Sequence, residues 1–182
     1  NRSLQILKEI SMLEDFRKVK EDFVRTTYAF AILEIIDQIF EEENTDNTLF
    51  QFIITLIQNI GASCKSILIW WFFLLKLASY LGFKPNFESC ATCGGKNIGR
   101  AYFSFRDGVI YCQNCLVSEG PVRILNPEQW GFLDRLQNKP YKTIGIETEM
   151  SFPEFDFSGL LLDYLNHHIG NSLHIKSLEL LR

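Results

Sequence analysis

Four cysteines have the clearest chemistry in this chain: Cys90-x-x-Cys93 and Cys112-x-x-Cys115, with eighteen residues between the pairs. Two Cys-x-x-Cys knuckles at that spacing present four thiolates to one tetrahedral ion, and Zn2+ suits this donor set. Four thiolates close the coordination sphere and leave no position for a reacting water, so the site reads as structural. Metal binding then supplies folding energy to a segment too small to hold a core of its own. Iron in a rubredoxin-like site uses similar knuckles and stays open as an alternative. A disulfide framework suits a long, mostly helical chain poorly. A thioredoxin-like redox pair lacks its βαβ context.

The intervening residues must bring the two pairs together. Gly94 and Gly95 let the chain turn back after the first knuckle. Arg100 to Arg106 alternates like a strand, Asp107-Gly108 is a two-residue hairpin signal, and Val109-Ile110-Tyr111 returns to deliver Cys112. Knuckle, hairpin and knuckle make a zinc ribbon over residues 84–120.

Lys84, Lys96, Arg100 and Arg106 lie around this ribbon with Tyr102, Phe103 and Phe105. Bases interleaved with aromatics could face DNA. The competing reading packs the aromatics onto the rest of the protein and leaves the bases solvated. His167, His168 and His174 lack the spacing of a metal or catalytic motif and read as helix-end residues. Glu147 and Glu149 have no partner for acid–base work, and no glycine loop cradles phosphate. Trp70 and Trp71 sit in the most apolar stretch and read as core, with a peptide groove as the alternative. Nothing here specifies an enzyme.

Composition narrows the class. The 182 residues are 47% hydrophobic with sixteen Phe, enough for one sizeable core and a small appended module. The net charge is −4, and a zinc tetrathiolate would take it to about −6. That excludes a large autonomous nucleic-acid footprint, which needs clustered excess Lys and Arg. Reduced cysteines beside a metal site suggest a cytoplasmic protein. Cys64, the fifth cysteine, reads as a buried free thiol. The run Ile67–Leu75 is too short for a membrane span and is followed by Lys76. The start at Asn1 suggests that an upstream part is missing.

The remaining elements are helical. Phe16, Val19, Phe23, Thr26, Phe30, Leu33, Ile36 and Phe40 recur at three and four spacing and predict one long helix with that face inward. The acidic run 41–47 predicts a solvated loop. Thr45 or Asp46 can cap a helix over 47–60 that Gly61 ends; Ser63 can cap a third that Gly82 ends. Asn126-Pro127-Glu128-Gln129 is a helix start reaching Gln137. Pro153 can open a helix ending near Gly170, and a short last helix spans Lys176–Leu181. The fold class is therefore mainly α. A helical bundle (1–83 and 121–182) carries an inserted four-cysteine zinc ribbon with a small β-hairpin (84–120).

The segment from Leu77 to Gly95, LASYLGFKPNFESCATCGG, resembles the RecO recombination-mediator family of bacterial DNA repair. That family has a leucine-rich helix ending in Leu-Gly-Tyr/Phe-x-Pro before a Cys-x-x-Cys-Gly knuckle. Leu13–Phe16, Tyr28–Asp37, Leu49-Phe50, Phe103–Gly108, Tyr164–Gly170 and Lys176-Ser177 are similar to further family segments, so the likeness spans nearly the whole chain. The resemblance implies a non-enzymatic role in binding and annealing single-stranded DNA. It implies work with RecR and, indirectly, RecA loading on DNA coated by the single-strand-binding protein, whose acidic, hydrophobic C-terminal tail the family binds. It also implies an N-terminal OB-fold, which this chain lacks, as the main contact for single- and double-stranded DNA. The expected place of work is the bacterial cytoplasm, at the nucleoid during repair, with no membrane partner. No motif places the tail pocket, which is unknown at this level. A zinc-ribbon scaffold of another assembly is the alternative from a different class, and a metal or redox enzyme is the third.

Overall fold

The computed structural model describes residues 14–40, 47–63, 65–116, 119–140 and 155–181. In chain order the elements are helices α1 (Arg17–Lys20), α2 (Phe23–Ile39), α3 (Asn47–Ala62) and α4 (Ser66–Tyr80), strands β1 (Ala101–Ser104), β2 (Val109–Cys112) and β3 (Val122–Leu125), then helices α5 (Pro127–Gln137), α6 (Ser158–Ile169) and α7 (Lys176–Glu179). The mainly helical class with a small antiparallel sheet matches the expectation. Cys64, the acidic residues 41–46, Thr45, Asp46, Glu147, Glu149 and Pro153 lie outside the described residues.

α4 is the axis. Eleven of its fifteen residues are buried, including Trp70, Trp71, Phe72 and Phe73. Both indoles are fully buried, which overturns the alternative that one borders a groove. Their N–H groups find partners on the approach to α6: Trp70 Nε1 donates to Ser158 Oγ and Trp71 Nε1 to Asp156 Oδ1, each at 3.1 Å. Buried indoles need such acceptors. One hydrophobic cluster joins α2, α3 and α4 with residues of the sheet, α5 and α6.

The first predicted helix differs in two ways. It breaks at Glu21-Asp22, where Asp22 takes extended backbone and its carboxylate accepts from Arg25 N at 2.9 Å. This side-chain cap starts α2 afresh. The buried face is also different: Tyr28, Ala31, Ile32 and Ile35 face the core, while Phe23 (61% exposed), Phe30 (56%) and Leu33 (43%) face outward. Both sets recur at helical spacing, so periodicity fits either. The inward set carries Ala29 and Ala31, whose small side chains allow close approach, and Tyr28 lies 6.3 Å from Trp70.

Two cap assignments also change. Gly61 lies within α3, where an added Cβ would come 3.3 Å from Val19 Cγ2, so it serves close packing. Ser63 precedes α4 by three residues and accepts from Lys65 N at 3.0 Å without being its N-cap. Gly82, by contrast, ends α4 as expected. At φ +93° it completes a Schellman motif, with Phe83 N donating to Ala78 O at 3.0 Å and Gly82 N to Ser79 O at 3.3 Å. The Asn126–Gln129 capping box and Pro127 open α5 as the sequence predicts.

The sheet has order β2-β1-β3, all antiparallel. β3 was not foreseen and lies beyond residue 120. The hairpin loop has four residues, 105–108, because Ser104 pairs with Val109. Phe105 and Arg106 are therefore turn residues, and the two-residue turn is not formed. The Ser104 hydroxyl donates to Asp107 Oδ2 at 2.8 Å and Gly108 N donates to Ser104 O at 2.9 Å, closing the loop internally.

Candidate metal centre

After α4 the chain runs beside β2 before it reaches the first knuckle. Asn86 N donates to Gly108 O at 2.8 Å and Ala91 N to Ile110 O at 2.9 Å. Phe87 is buried against Phe103, with ring centres 4.9 Å apart. The knuckle then closes on itself: Cys90 N donates to Gly95 O at 3.0 Å and Gly94 N to Cys90 O at 2.9 Å, with Gly94 at φ +70°. The end of β2 supplies Cys112, and Cys115 N donates to Cys112 O at 3.0 Å in the second knuckle.

The four ligand atoms Cys90 Sγ, Cys93 Sγ, Cys112 Sγ and Cys115 Sγ all lie within 4.8 Å of one another. A tetrahedral zinc with Zn–S near 2.3 Å requires sulfurs about 3.8 Å apart, so the donor set fits with small adjustment. Cys90 is buried, Cys93 is exposed, and the other two are half-buried. Burial acts to raise the Cys90 thiol, but the backbone N–H groups of Cys93, Cys112 and Thr92 outweigh it and hold the thiol down to about 6. Cys112 N lies 3.3 Å from Cys90 Sγ. A hydrogen bond with Cys112 and partial desolvation push Cys115 up to about 12. Backbone N–H groups thus favour the Cys90 thiolate, the form a metal needs.

The sheet is fastened to the helices by aromatic side chains. Phe103 meets Tyr164 at 5.1 Å, and His168 stacks on Phe83 at 4.7 Å. Tyr164 Oη donates to Phe83 O at 2.7 Å. His168 Nε2 lies 2.8 Å from Phe105 O; a carbonyl only accepts, so Nε2 carries the proton. His168 thus stands in the last turn of α6, as expected of a helix-end residue, and also packs against Phe83 and the hairpin turn. Gln137, buried at the end of α5, donates from Nε2 to Pro85 O at 2.8 Å and accepts at its main-chain carbonyl from Lys76 Nζ at 2.8 Å.

The proposed basic patch is only partly assembled. Lys84, Lys96, Arg100 and Arg106 are all exposed, but Lys96 is paired with Glu88 at 2.6 Å. Arg100 precedes β1 and Arg106 lies in the hairpin turn after it, so the strand separates them. Phe103 and Phe105 are buried against the helices, so of the three aromatics only Tyr102 remains part-exposed. Sequence reasoning missed Tyr111 and Ile124, which pair with Tyr102 on either side. Their signal was the alternation of Val109-Ile-Tyr111 and Val122-Arg-Ile124, too short to show without the register. It also missed a groove of about 640 Å³ between α3 and α4, lined by Leu49, Gln51, Phe52, Lys76, Ser79 and Tyr80. No described helix is long and apolar enough to cross a membrane.

A family model described as "Recombination protein O C terminal" matches residues 20–179. The DNA repair protein RecO of Bacillus pumilus is 31% identical over 121 residues, covering 66% of this chain and 46% of that protein. That of Alkaliphilus metalliredigens is 32% identical over 117 residues, covering 63% and 47%. The Bacillus subtilis protein of the same name is 28% identical over 133 residues, covering 73% and 51%. The chain spans about half the length of these curated relatives. No solved structure matches.

Proposed function

The chain belongs to the RecO family, and on that premise we propose that it is the helical, zinc-bearing part of a DNA-repair mediator. The match across residues 20–179 carries this reading, because it takes in both helical flanks as well as the cysteine knuckles. In this reading residues 1–83 and 121–182 form one helical domain, and residues 84–120 are a ribbon inserted in it. The metal is structural Zn2+, held by Cys90, Cys93, Cys112 and Cys115. A closed set of four thiolates supports that role, since it leaves no position for a substrate.

The proposed activity is non-enzymatic: assisting strand annealing and RecA loading, with RecR, on DNA coated by the single-strand-binding protein, in the bacterial cytoplasm. Most DNA contact would fall to an OB-fold outside this chain. The α3–α4 groove supports a role in holding the single-strand-binding protein's tail. Leu49, Phe52 and Tyr80 offer an apolar floor, and the Lys76 ammonium offers a counter-charge to an acidic, hydrophobic peptide.

Titration of the zinc-loaded chain with a fluorescent tail peptide tests this reading. Specific binding is expected, weakened by Tyr80→Ala by more than the small loss of Tm from its edge-on contact with Phe40 can explain, because Tyr80 is 47% exposed. Absence of binding both to the peptide and to RecR would overturn the mediator role.

A further inference from the structure

The two faces of the sheet differ in chemistry. Residues paired across neighbouring strands share a face. Ala101, Phe103, Ile110 and Leu125 share one face and are buried toward the helices. Arg123 on that face is held by Asp163 of α6 at 3.0 Å. The opposite face carries a continuous row, Tyr111–Tyr102–Ile124, one residue from each strand. Both tyrosines are part-exposed and Ile124 is 58% exposed. The outer face of a half-buried antiparallel sheet normally carries polar side chains, so two aromatic rings beside an open isoleucine need a reason.

The charges beside this row point to the occupant. Arg100, two residues before Tyr102, and Arg106, in the hairpin turn, are both exposed. Among the described residues neither makes an ion pair. The nearby carboxylate of Asp107 is engaged by the Ser104 hydroxyl at 2.8 Å and by Tyr111 Oη at 3.1 Å. Rings in the middle of the sheet, an exposed arginine just before β1 and another in the hairpin turn, against the carboxylate of Asp107, suit a ligand that alternates flat apolar faces with negative charge.

We propose that this sheet face is a platform for single-stranded DNA. Tyr102 and Tyr111 stack on bases, Ile124 packs beside them, and Arg100 and Arg106 take flanking phosphates. Unpaired bases expose the faces this needs, whereas a duplex hides them; stacking also tolerates any sequence. The inference rests on the DNA-repair reading above and goes beyond it by placing a strand contact on this chain itself. The local patch also explains how a chain of net charge −4 could touch DNA.

Fluorescence anisotropy of the zinc-loaded chain with labelled oligothymidylate of about 16 nucleotides, toward the upper end of strand-binding site sizes, tests the platform. Tyr102→Leu is expected to weaken binding about tenfold, and Ile124→Trp, which adds a ring, to tighten it. Arg100→Ala with Arg106→Ala should remove about 1.4 from the log–log salt slope, at roughly 0.7 per phosphate on a single strand. The gain from Ile124→Trp cannot be produced by misfolding. No binding, duplex bound as tightly as single strand, or affinity indifferent to these changes would overturn the platform. An acidic peptide competing as well as oligothymidylate would do the same and make the face a protein-docking surface. Retained binding of RecR and tail peptide in that event would leave the mediator reading standing.

Discussion

Single positions in this protein are constrained by what lies across from them. Gly108 sits at φ +66°, and an added Cβ would come 2.6 Å from Tyr164 Oη. Gly108→Ala meets both a left-handed backbone and the hydroxyl that donates to Phe83 O. A stability loss of about 2 kcal/mol or more is expected in denaturant melts. Adding Tyr164→Phe should recover part of it, and strictly additive losses would show that the hydroxyl is not the obstacle. Tyr28 makes a pH prediction. Burial, helped by the negative charge of Asp156, pushes its phenol up to about 12. Its folded pKa lies above the ordinary value near 10, so its contribution is fully present below pH 10 and is lost as pH rises toward 12. Tyr28→Phe should leave stability at neutral pH nearly unchanged and flatten this alkaline loss. Tyr164 is also raised by burial and leaves a remainder. An unchanged alkaline profile would remove Tyr28 as a cause.

Elements are set by packing choices that a helical period leaves open. α2 has two apolar stripes, and the one built on Tyr28, Ala31, Ile32 and Ile35 meets the core. Ile32→Ala should cost about 2–5 kcal/mol, as buried Ile truncations do. Phe30→Ala, although it deletes a larger side chain, should cost under about 1 kcal/mol, since Phe30 is 56% exposed. Comparable losses from the two would restore the sequence-based face. The ends of elements were easier to read where one residue carries the geometry. Gly82 and the Asn126–Gln129 box mark their termini because a left-handed residue and a reciprocal side-chain cap act locally. Gly61 and Ser63 misled because the same residue types also serve close packing and turns.

For the whole molecule, the small sheet and the helices share one hydrophobic cluster. Phe103, Ile110 and Leu125 belong to the same hydrophobic cluster as Trp70, Trp71 and Leu161. On the proposal that the four cysteines hold Zn2+, a chelator should therefore lower the Tm of the helices, followed by far-ultraviolet circular dichroism, and not only loosen the ribbon. Cys112→Ser should act in the same direction. A helical transition unmoved by either change would mean that the sheet folds on the core without its metal.

The close grouping of the four cysteines, the helical class, the hairpin before Cys112 and the family resemblance follow from residue type and short spacing. These signals are local: two knuckles, a glycine stop and a capping box act within a few residues of each other. The inward face of α2, the pairing of β3 with β1, the burial of Phe103 and Phe105, and the Tyr111–Tyr102–Ile124 row come from contacts between distant segments. A period of 3.6 or 2 says that a face exists, but which face is buried depends on the surface that packs against it. For α2 that surface is Trp70 and its neighbours on α4. For the ribbon it is Tyr164 and His168 on α6, which turn two phenylalanines inward and leave two tyrosines at the solvent side.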